Sequence, residues 1–100
     1  MRIISRSALI EFWQKHPGAR VPLEAWYRVI KNASFANFND VRRAFNSADY
    51  VAPYTVFDVG GNNFRVISAI HYNGQRLYIR FVFTHAEYDD WNKKHRSGKK

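Results

Sequence analysis

Three side chains in the second half of the chain, Arg65, His85 and Tyr88, are of the types that can cleave a phosphodiester. Histidine can take or give a proton near neutral pH, and arginine can hold a phosphate without titrating. RNA supplies its own nucleophile, the 2′-hydroxyl, so the protein needs only proton transfer and positive charge around the phosphate. Which of these groups is the base and which is the acid stays open.

Metal-dependent cleavage would require clustered carboxylates. The chain has 8 Asp and Glu residues, and Asp89-Asp90 is the one adjacent pair. Helix capping and solvation explain these acidic residues, and the absence of cysteine excludes disulfides and thiolate metal sites. We therefore predict metal-independent chemistry with no cofactor.

The charge of the chain predicts a polyanionic partner. Sixteen Lys and Arg against eight Asp and Glu give a formal net charge of +8, and a small domain this basic usually binds nucleic acid. No apolar run is long enough to span a membrane, and no signal-peptide core follows the N-terminus. A cytoplasmic protein without membrane contact is expected.

The end of the chain is its most basic segment. We expect residues 93–100 to form a flexible tail, and we assign its side chains to RNA binding. These residues are Lys93, Lys94, His95 and Arg96. The alternative is a solvated end that only aids solubility.

Hydrophobic periodicity predicts one α+β domain over residues 1–100. A short strand at residues 2–4 precedes two or three helices, which pack on an antiparallel sheet. Three strands then follow as a meander, at Tyr54 to Val59, Asn62 to Tyr72 and Gln75 to Phe83. A terminal helix over residues 85–95 ends the chain.

The Asn73-Gly74 turn fixes the register of the last two strands if it is a two-residue loop, because Tyr72 then faces Gln75. One face of these strands collects apolar side chains that must pack against the helices. They are Phe64, Val66, Ile70, Leu77, Ile79, Phe81 and Phe83.

The opposite face of the same strands carries a predicted anion site. Arg65 falls opposite Val82 and diagonal to Arg80, and two guanidinium groups this close repel unless an anion lies between them. Asp58, one strand over, can balance part of that charge. The alternative is an ordinary solvated sheet face with a single Asp58–Arg65 pair.

The start of the terminal helix points to the same place. Thr84 and Glu87 have the spacing of a capping box, with Thr84 as the N-cap. The helix N-terminus would bring its free N–H groups, His85 and Tyr88 beside Arg65, where they could converge on one phosphate. His85 could instead be a surface residue, and Tyr88 could simply pack against the sheet.

Two motifs resemble the HigB branch of the RelE-like toxins. The first is Phe57-Asp58-Val59-Gly60-Gly61-Asn62-Asn63-Phe64-Arg65-Val66. The second is Tyr78-Ile79-Arg80 followed by Thr84-His85-Ala86-Glu87-Tyr88-Asp89. The match is specific from residue 57 to about residue 96, whereas the first half of the chain agrees mainly in layout.

The resemblance implies a RelE-like fold, with a central antiparallel sheet and helices on one face. It also implies cleavage of mRNA, often on the translating ribosome, by the toxin of a type II toxin–antitoxin pair. The partner would be a HigA-type helix-turn-helix antitoxin, which contacts operator DNA. Catalytic residues vary in this family; here they would be Arg65, His85 and Tyr88, with Arg80 and Asn63 binding RNA.

Two other functions are compatible with the same residues. A non-catalytic module could bind RNA or DNA through the basic face and leave the nucleic acid intact. A degenerate toxin could serve only as the partner of its antitoxin.

Overall fold

The computed structural model describes residues 1–97. The strands in this range are β1 (Arg2–Ile4), β2 (Asp49–Val51), β3 (Tyr54–Val59), β4 (Phe64–His71) and β5 (Arg76–Thr84). The α-helices are α1 (Ser7–Lys15), α2 (Arg20–Lys31), α3 (Phe38–Ala44) and α4 (His85–Ser97). A 3₁₀ turn, Pro17–Ala19, joins α1 to α2. The predicted α+β class and the order of the elements are confirmed.

The strands form one sheet in the order β1-β5-β4-β3-β2. The meander β3-β4-β5 is antiparallel as predicted, and β2 extends it by one strand that the sequence analysis missed. β1 pairs with β5 in parallel, so the sheet is mixed rather than antiparallel throughout. A parallel pair needs a long crossover connection, and here helices α1 to α3 lie within it.

The two faces of the sheet carry different helices. The larger core lies between one face and the helices α1 to α3, with Leu23, Trp26 and Ile30 of α2 buried against Phe57 and Val66. Helix α4 packs on the opposite face, in a smaller core with β2, β3 and β4. The expectation of helices on one face therefore holds for α1 to α3 and not for α4.

A β-bulge in β5 changes the predicted register. His71 pairs with Arg76 as expected, but Ser68 pairs with Ile79 while Ile67 pairs with Phe81, so Arg80 is the extra residue. From Phe81 onward, each side chain of β5 therefore lies on the face opposite to the one predicted without the bulge.

Three predictions of position are wrong for this reason. Arg65 faces Phe83 and not Val82. Phe83 belongs to the α4 side of the sheet, while Val82 packs against the larger core. Phe81 shares the face of Ile67, its cross-strand partner, because partners in an antiparallel pair point the same way.

The hairpin between β4 and β5 is closed by a side chain. Gln75 has a positive φ of 51°, and its amide group donates to the carbonyl oxygens of Tyr72 at 2.7 Å and Phe35 at 2.6 Å. Its Oε1 accepts the Phe35 N–H at 3.2 Å. The turn is thus tied to the segment between α2 and α3.

The capping box predicted at the start of α4 is present. Thr84 N–H donates to Glu87 Oε1 at 2.8 Å, and Glu87 N–H donates to Thr84 Oγ1 at 3.2 Å. The helix continues to Ser97, two residues beyond its predicted end. The last three residues of the predicted tail, 98–100, lie outside the described range, and its flexibility stays a prediction.

Within residues 1–97, no helix combines the length and the apolar character needed to cross a membrane.

We expect Gln75→Ala to lower the free energy of unfolding by about 1–3 kcal/mol, because both backbone groups of Phe35 lose their partner. Gln75→Gly loses the same bonds but relieves the positive φ, and should be about 1 kcal/mol more stable than Gln75→Ala. Urea unfolding measures both, with Asn73→Ala in the same turn as the control. A Gln75→Ala variant as stable as the wild type would contradict this assignment.

Candidate active site

Arg65 lies at the centre of the candidate site, at the second position of β4. The β3–β4 pairing places Asp58 opposite it, and the distance from Arg65 Nε to Asp58 Oδ1 is 2.9 Å. The arginine side chain is only 7% exposed, whereas that of Asp58 is 27% exposed. The predicted Asp58–Arg65 pair is therefore present, and its positive partner is buried.

All three nitrogens of the guanidinium have partners within the protein. Nη1 donates to the carbonyl oxygens of Asn62 at 3.2 Å and Phe64 at 3.0 Å. Nη2 donates to Asn62 Oδ1 at 2.7 Å and lies 3.1 Å from His85 Nδ1, while Nε forms the ion pair with Asp58. A phosphate that bound the η nitrogens would have to displace one of these partners.

His85 is oriented by Arg65 on one side and by Asp89 on the other. Because a guanidinium has no acceptor, His85 Nδ1 must accept, which assigns the ring proton to Nε2. Nε2 lies 3.3 Å from Asp89 Oδ2, and the histidine side chain is 49% exposed. The ring therefore presents a polarised N–H at the surface of the site.

Tyr88 completes the Arg65 cluster, the name used below for Asp58, Asn62, Arg65, His85 and Tyr88. Its ring lies under the guanidinium, with Arg65 Cζ 5.4 Å from the ring centroid. Tyr88 is buried in the smaller core, and this burial raises the pKa of its hydroxyl. The nearby Asp49 raises the pKa further, while Arg96 and Arg65 oppose the shift. The group is thus a neutral donor at pH 7, and the packing role considered for Tyr88 is real.

The start of α4 is less open to an anion than expected. His85 N–H donates to the Asn63 carbonyl at 2.9 Å, and Glu87 N–H is taken by the capping box. Asn63 thus contributes its backbone here, while its side chain is exposed. Side chains, more than backbone amides, must therefore meet any phosphate at this place.

The other predicted RNA-binding residues lie outside the Arg65 cluster. Arg80 occupies the bulge and is exposed, with Cζ 5.4 Å from the Tyr78 ring centroid. Lys93 and Lys94 are exposed on α4, and Lys94 Nζ lies 3.1 Å from Asp90 Oδ2.

His95 and Arg96 have partners within the protein. The His95 ring stacks on Trp91 with centroids 4.8 Å apart, and its Nε2 lies 2.9 Å from the Ala52 carbonyl oxygen. Arg96 Nε donates to Asn92 Oδ1 at 3.0 Å.

Sequence reasoning missed two residues of this site. Asn62 holds the guanidinium through both its side chain and its carbonyl, and Asp89 contacts the histidine. The signal for Asn62 was its position in the Gly-Gly-Asn turn, three residues before Arg65, and for Asp89 the i, i+4 spacing from His85. In residues 1–97, no group of three or more His, Asp or Glu side chains is arranged to hold a metal ion.

Comparison with known proteins places this architecture in a class. A family model described as HigB_toxin, RelE-like toxic component of a toxin-antitoxin system, matches residues 19–91. The fold and the sequence thus define a small basic toxin that has an antitoxin partner.

Curated relatives cover the whole chain. A protein of Escherichia coli O6:H1 named mRNA interferase HigB is 37% identical over 102 residues, which span 99% of each chain. A protein of Shigella flexneri with the same name is 36% identical over 104 residues, which span 100% of both chains. The chain belongs to the HigB toxin family, as the resemblance of its motifs predicted.

We expect Arg65→Ala to lower the free energy of unfolding by about 2 kcal/mol or more, because Asp58, Asn62 and His85 all lose a charge-assisted partner. Arg80→Ala is the matched control, since this arginine is exposed on the neighbouring strand and should change stability by about 0.5 kcal/mol or less. Urea unfolding compares the two variants, and equal stability would show that the buried guanidinium is not structural.

The raised pKa of Tyr88 predicts a pH dependence of stability. The neutral hydroxyl is favoured in the folded state, so its contribution is fully present below about pH 10 and is lost as the pH rises through the folded pKa. Tyr88→Phe should therefore lose less stability than the wild type between about pH 9 and pH 11. Tyr72, whose pKa burial also raises, contributes the remaining slope. The exposed Tyr50→Phe is the control, and an identical slope for Tyr88→Phe would refute the assignment.

Proposed function

We propose that this HigB toxin is an endoribonuclease that cleaves messenger RNA, with the His85 ring meeting the reacting phosphate. The relatives that match it from end to end carry the name mRNA interferase. The structural observation that supports this location of the active site is a half-exposed histidine whose orientation is set by a buried guanidinium.

The reaction needs no nucleophile from the protein. The RNA 2′-oxygen attacks the adjacent phosphorus and gives up its proton, and the bond to the 5′-oxygen of the next nucleotide breaks. That oxygen takes up a proton, which leaves a 2′,3′-cyclic phosphate and a 5′-hydroxyl. Negative charge grows on the phosphate oxygens during attack, so donors placed beside them lower the barrier.

His85 is suited to this stabilising role in the geometry observed. Its Nε2–H, 3.3 Å from Asp89 Oδ2, can donate to a phosphate oxygen once that carboxylate turns to the 2′-hydroxyl, while Nδ1 is occupied by Arg65. Transfer of the Nε2 proton to the RNA is a different step, because it would require a ring that is protonated on both nitrogens. The Nδ1–H of such a ring would point at the N–H of Arg65, and two donors repel. Asp89, next to Nε2, is the carboxylate positioned to accept the proton of the 2′-hydroxyl.

Arg65 supports the reaction by holding His85 and by its charge, because its donors are used within the protein. Tyr88 is neutral and lies beneath the guanidinium, so its hydroxyl can donate a hydrogen bond. In this mechanism Asp89 accepts the 2′-hydroxyl proton, a water molecule supplies the proton of the 5′-oxygen, and Asp89 then returns its proton to the solvent. No metal ion is invoked.

The remaining predicted RNA-binding residues hold parts of the RNA other than the reacting phosphate. They are Arg80, Asn63, Lys93, Lys94, His95 and Arg96. We propose that the ribosome presents the message to the toxin in the cytoplasm during translation. The antitoxin partner is of the HigA type, with a helix-turn-helix domain that binds operator DNA.

His85→Ala should reduce the rate of RNA cleavage by about 10² or more, because a donor to the transition state is lost. His71→Ala is the matched control, since His71 is an exposed histidine on the same strand as Arg65 and meets Tyr78 edge-on, with ring centroids 5.2 Å apart. Single-turnover cleavage of labelled message, with and without ribosomes, measures both variants. If both are equally active, the site is misplaced.

A modified substrate tests the nucleophile in the same assay. A single 2′-deoxy nucleotide at the mapped cut should abolish cleavage there, whereas the same substitution one nucleotide away should not. Cleavage of the deoxy site at the normal rate would refute the mechanism. Wild-type protein that binds RNA and leaves it intact would favour a non-catalytic module instead.

A further inference from the structure

The bulge at Arg80 creates an aromatic surface beside the Arg65 cluster. It turns Phe81 and Phe83 onto the face that carries Arg65, and Phe83 is the direct cross-strand partner of that arginine. The two phenyl rings are parallel within 9°, with centroids 5.4 Å apart. We call this surface, formed by Tyr54, Phe81, Phe83 and Trp91, the aromatic platform.

Most of the platform is accounted for by packing. Tyr54, Phe83 and Trp91 pack against the smaller core. The ring centroid of Trp91 lies 6.0 Å from that of Phe81 and 6.0 Å from that of Phe83. Phe81 is different, because it is 41% exposed although three aromatic rings hold it in place. Folding alone does not require a rigid, supported ring that stays in solvent.

A groove runs past Phe81 toward the start of α4. It has a volume of about 340 Å³ and lies between the second half of α1 and the bulged part of β5. Both phenylalanines line it, as does Glu87 in the first turn of α4. The groove adjoins the candidate active site through Phe83, which pairs with Arg65 across the strands.

The groove carries two cations and two carboxylates, so an anion would be held locally by the cations and not by the groove as a whole. Lys15 and Arg80 line it, and within residues 1–97 neither makes an ion pair. His16 also lines it and stacks on Phe12. The two carboxylates are Glu11 and Glu87, and Glu87 is already held by the capping box.

We propose that the groove is a nucleobase subsite, in which a base of the RNA next to the cut stacks on Phe81 and its phosphate lies between Arg80 and Lys15. An exposed aromatic ring beside unpaired cations is the combination that binds single-stranded nucleic acid without reading base edges. Phe81 and Phe83 are two residues apart on a strand, so the subsite lies about 7 Å from the position opposite Arg65. This inference rests on the proposed function, because it assumes that RNA occupies the site.

The test uses RNA that contains the mapped cut, made uncleavable by a 2′-deoxy nucleotide at that position. A fluorescent 2-aminopurine replaces the base beside the cut, and the RNA is presented free or on the ribosome, whichever supports cleavage. Phe81→Ala should weaken binding by roughly 5- to 150-fold and relieve the quenching of the base. Phe81→Leu, which keeps apolar volume without a π-face, should do the same, whereas Phe81→Trp should restore both signals.

Controls separate stacking from folding. Val21→Ala removes another exposed apolar side chain, on α2, and should change neither affinity nor quenching. Urea unfolding should show Phe81→Leu fully folded under the binding conditions, although it loses the ring contacts of Phe81 with Tyr54, Phe83 and Trp91. An RNA with an abasic nucleotide beside the cut should bind wild type and Phe81→Ala equally well.

The outcomes distinguish this inference from the proposed function. If wild-type protein cleaves the all-ribose RNA but the Phe81 variants bind like wild type, the subsite is wrong and the nuclease stands. Equal weakening by Phe81→Ala on intact and abasic RNA would also overturn the subsite. So would a loss of antitoxin binding with unchanged RNA binding. Wild-type protein that cleaves no RNA would instead refute the proposed function.

Discussion

The structure depends on one buried guanidinium. Arg65 joins β3 through Asp58, the following turn through Asn62, and α4 through His85. A buried cation is costly unless it is paired and hydrogen-bonded, and here Asp58 pairs with Nε while both η nitrogens have hydrogen-bond partners. Sheet, turn and terminal helix are therefore positioned by the same side chain. A change in any one of them is transmitted to the others.

This arrangement couples stability to chemistry. The residue that orients the exposed histidine is also the residue whose removal leaves Asp58 unpaired. A loss of toxicity in an Arg65 variant is thus not, by itself, a measure of catalysis, and stability has to be determined beside it. His85 and Asp89, whose side chains are largely exposed, are the positions where chemistry can be changed with less effect on the fold.

Local signals in the sequence predicted much of this site, and long-range packing determined the rest. The Thr84–Glu87 capping box and the Asp58–Arg65 pair were predictable because each depends on spacing within one element or across one turn. The bulge at Arg80 was not, because an unbroken alternation of side chains fits the same residues. With the extra residue at Arg80, Phe83 packs against the smaller core and Val82 against the larger one, a long-range arrangement that the alternation does not reveal. Strand β2 was missed because Asp49-Tyr50-Val51 buries only its last residue and so shows no apolar pattern, whereas the equally short β1 contains two adjacent isoleucines.

The parallel pairing of β1 with β5 has a consequence for folding during synthesis. Arg2 to Ile4 leave the ribosome well before their partners, which are Arg76 to Tyr78. Strand β1 therefore stays unpaired while more than seventy further residues are synthesised. The β4–β5 hairpin, by contrast, can form as soon as both of its strands have emerged. We expect the hairpin to nucleate the sheet and β1 to dock late, so that most of the polypeptide must be available before the larger core is sealed.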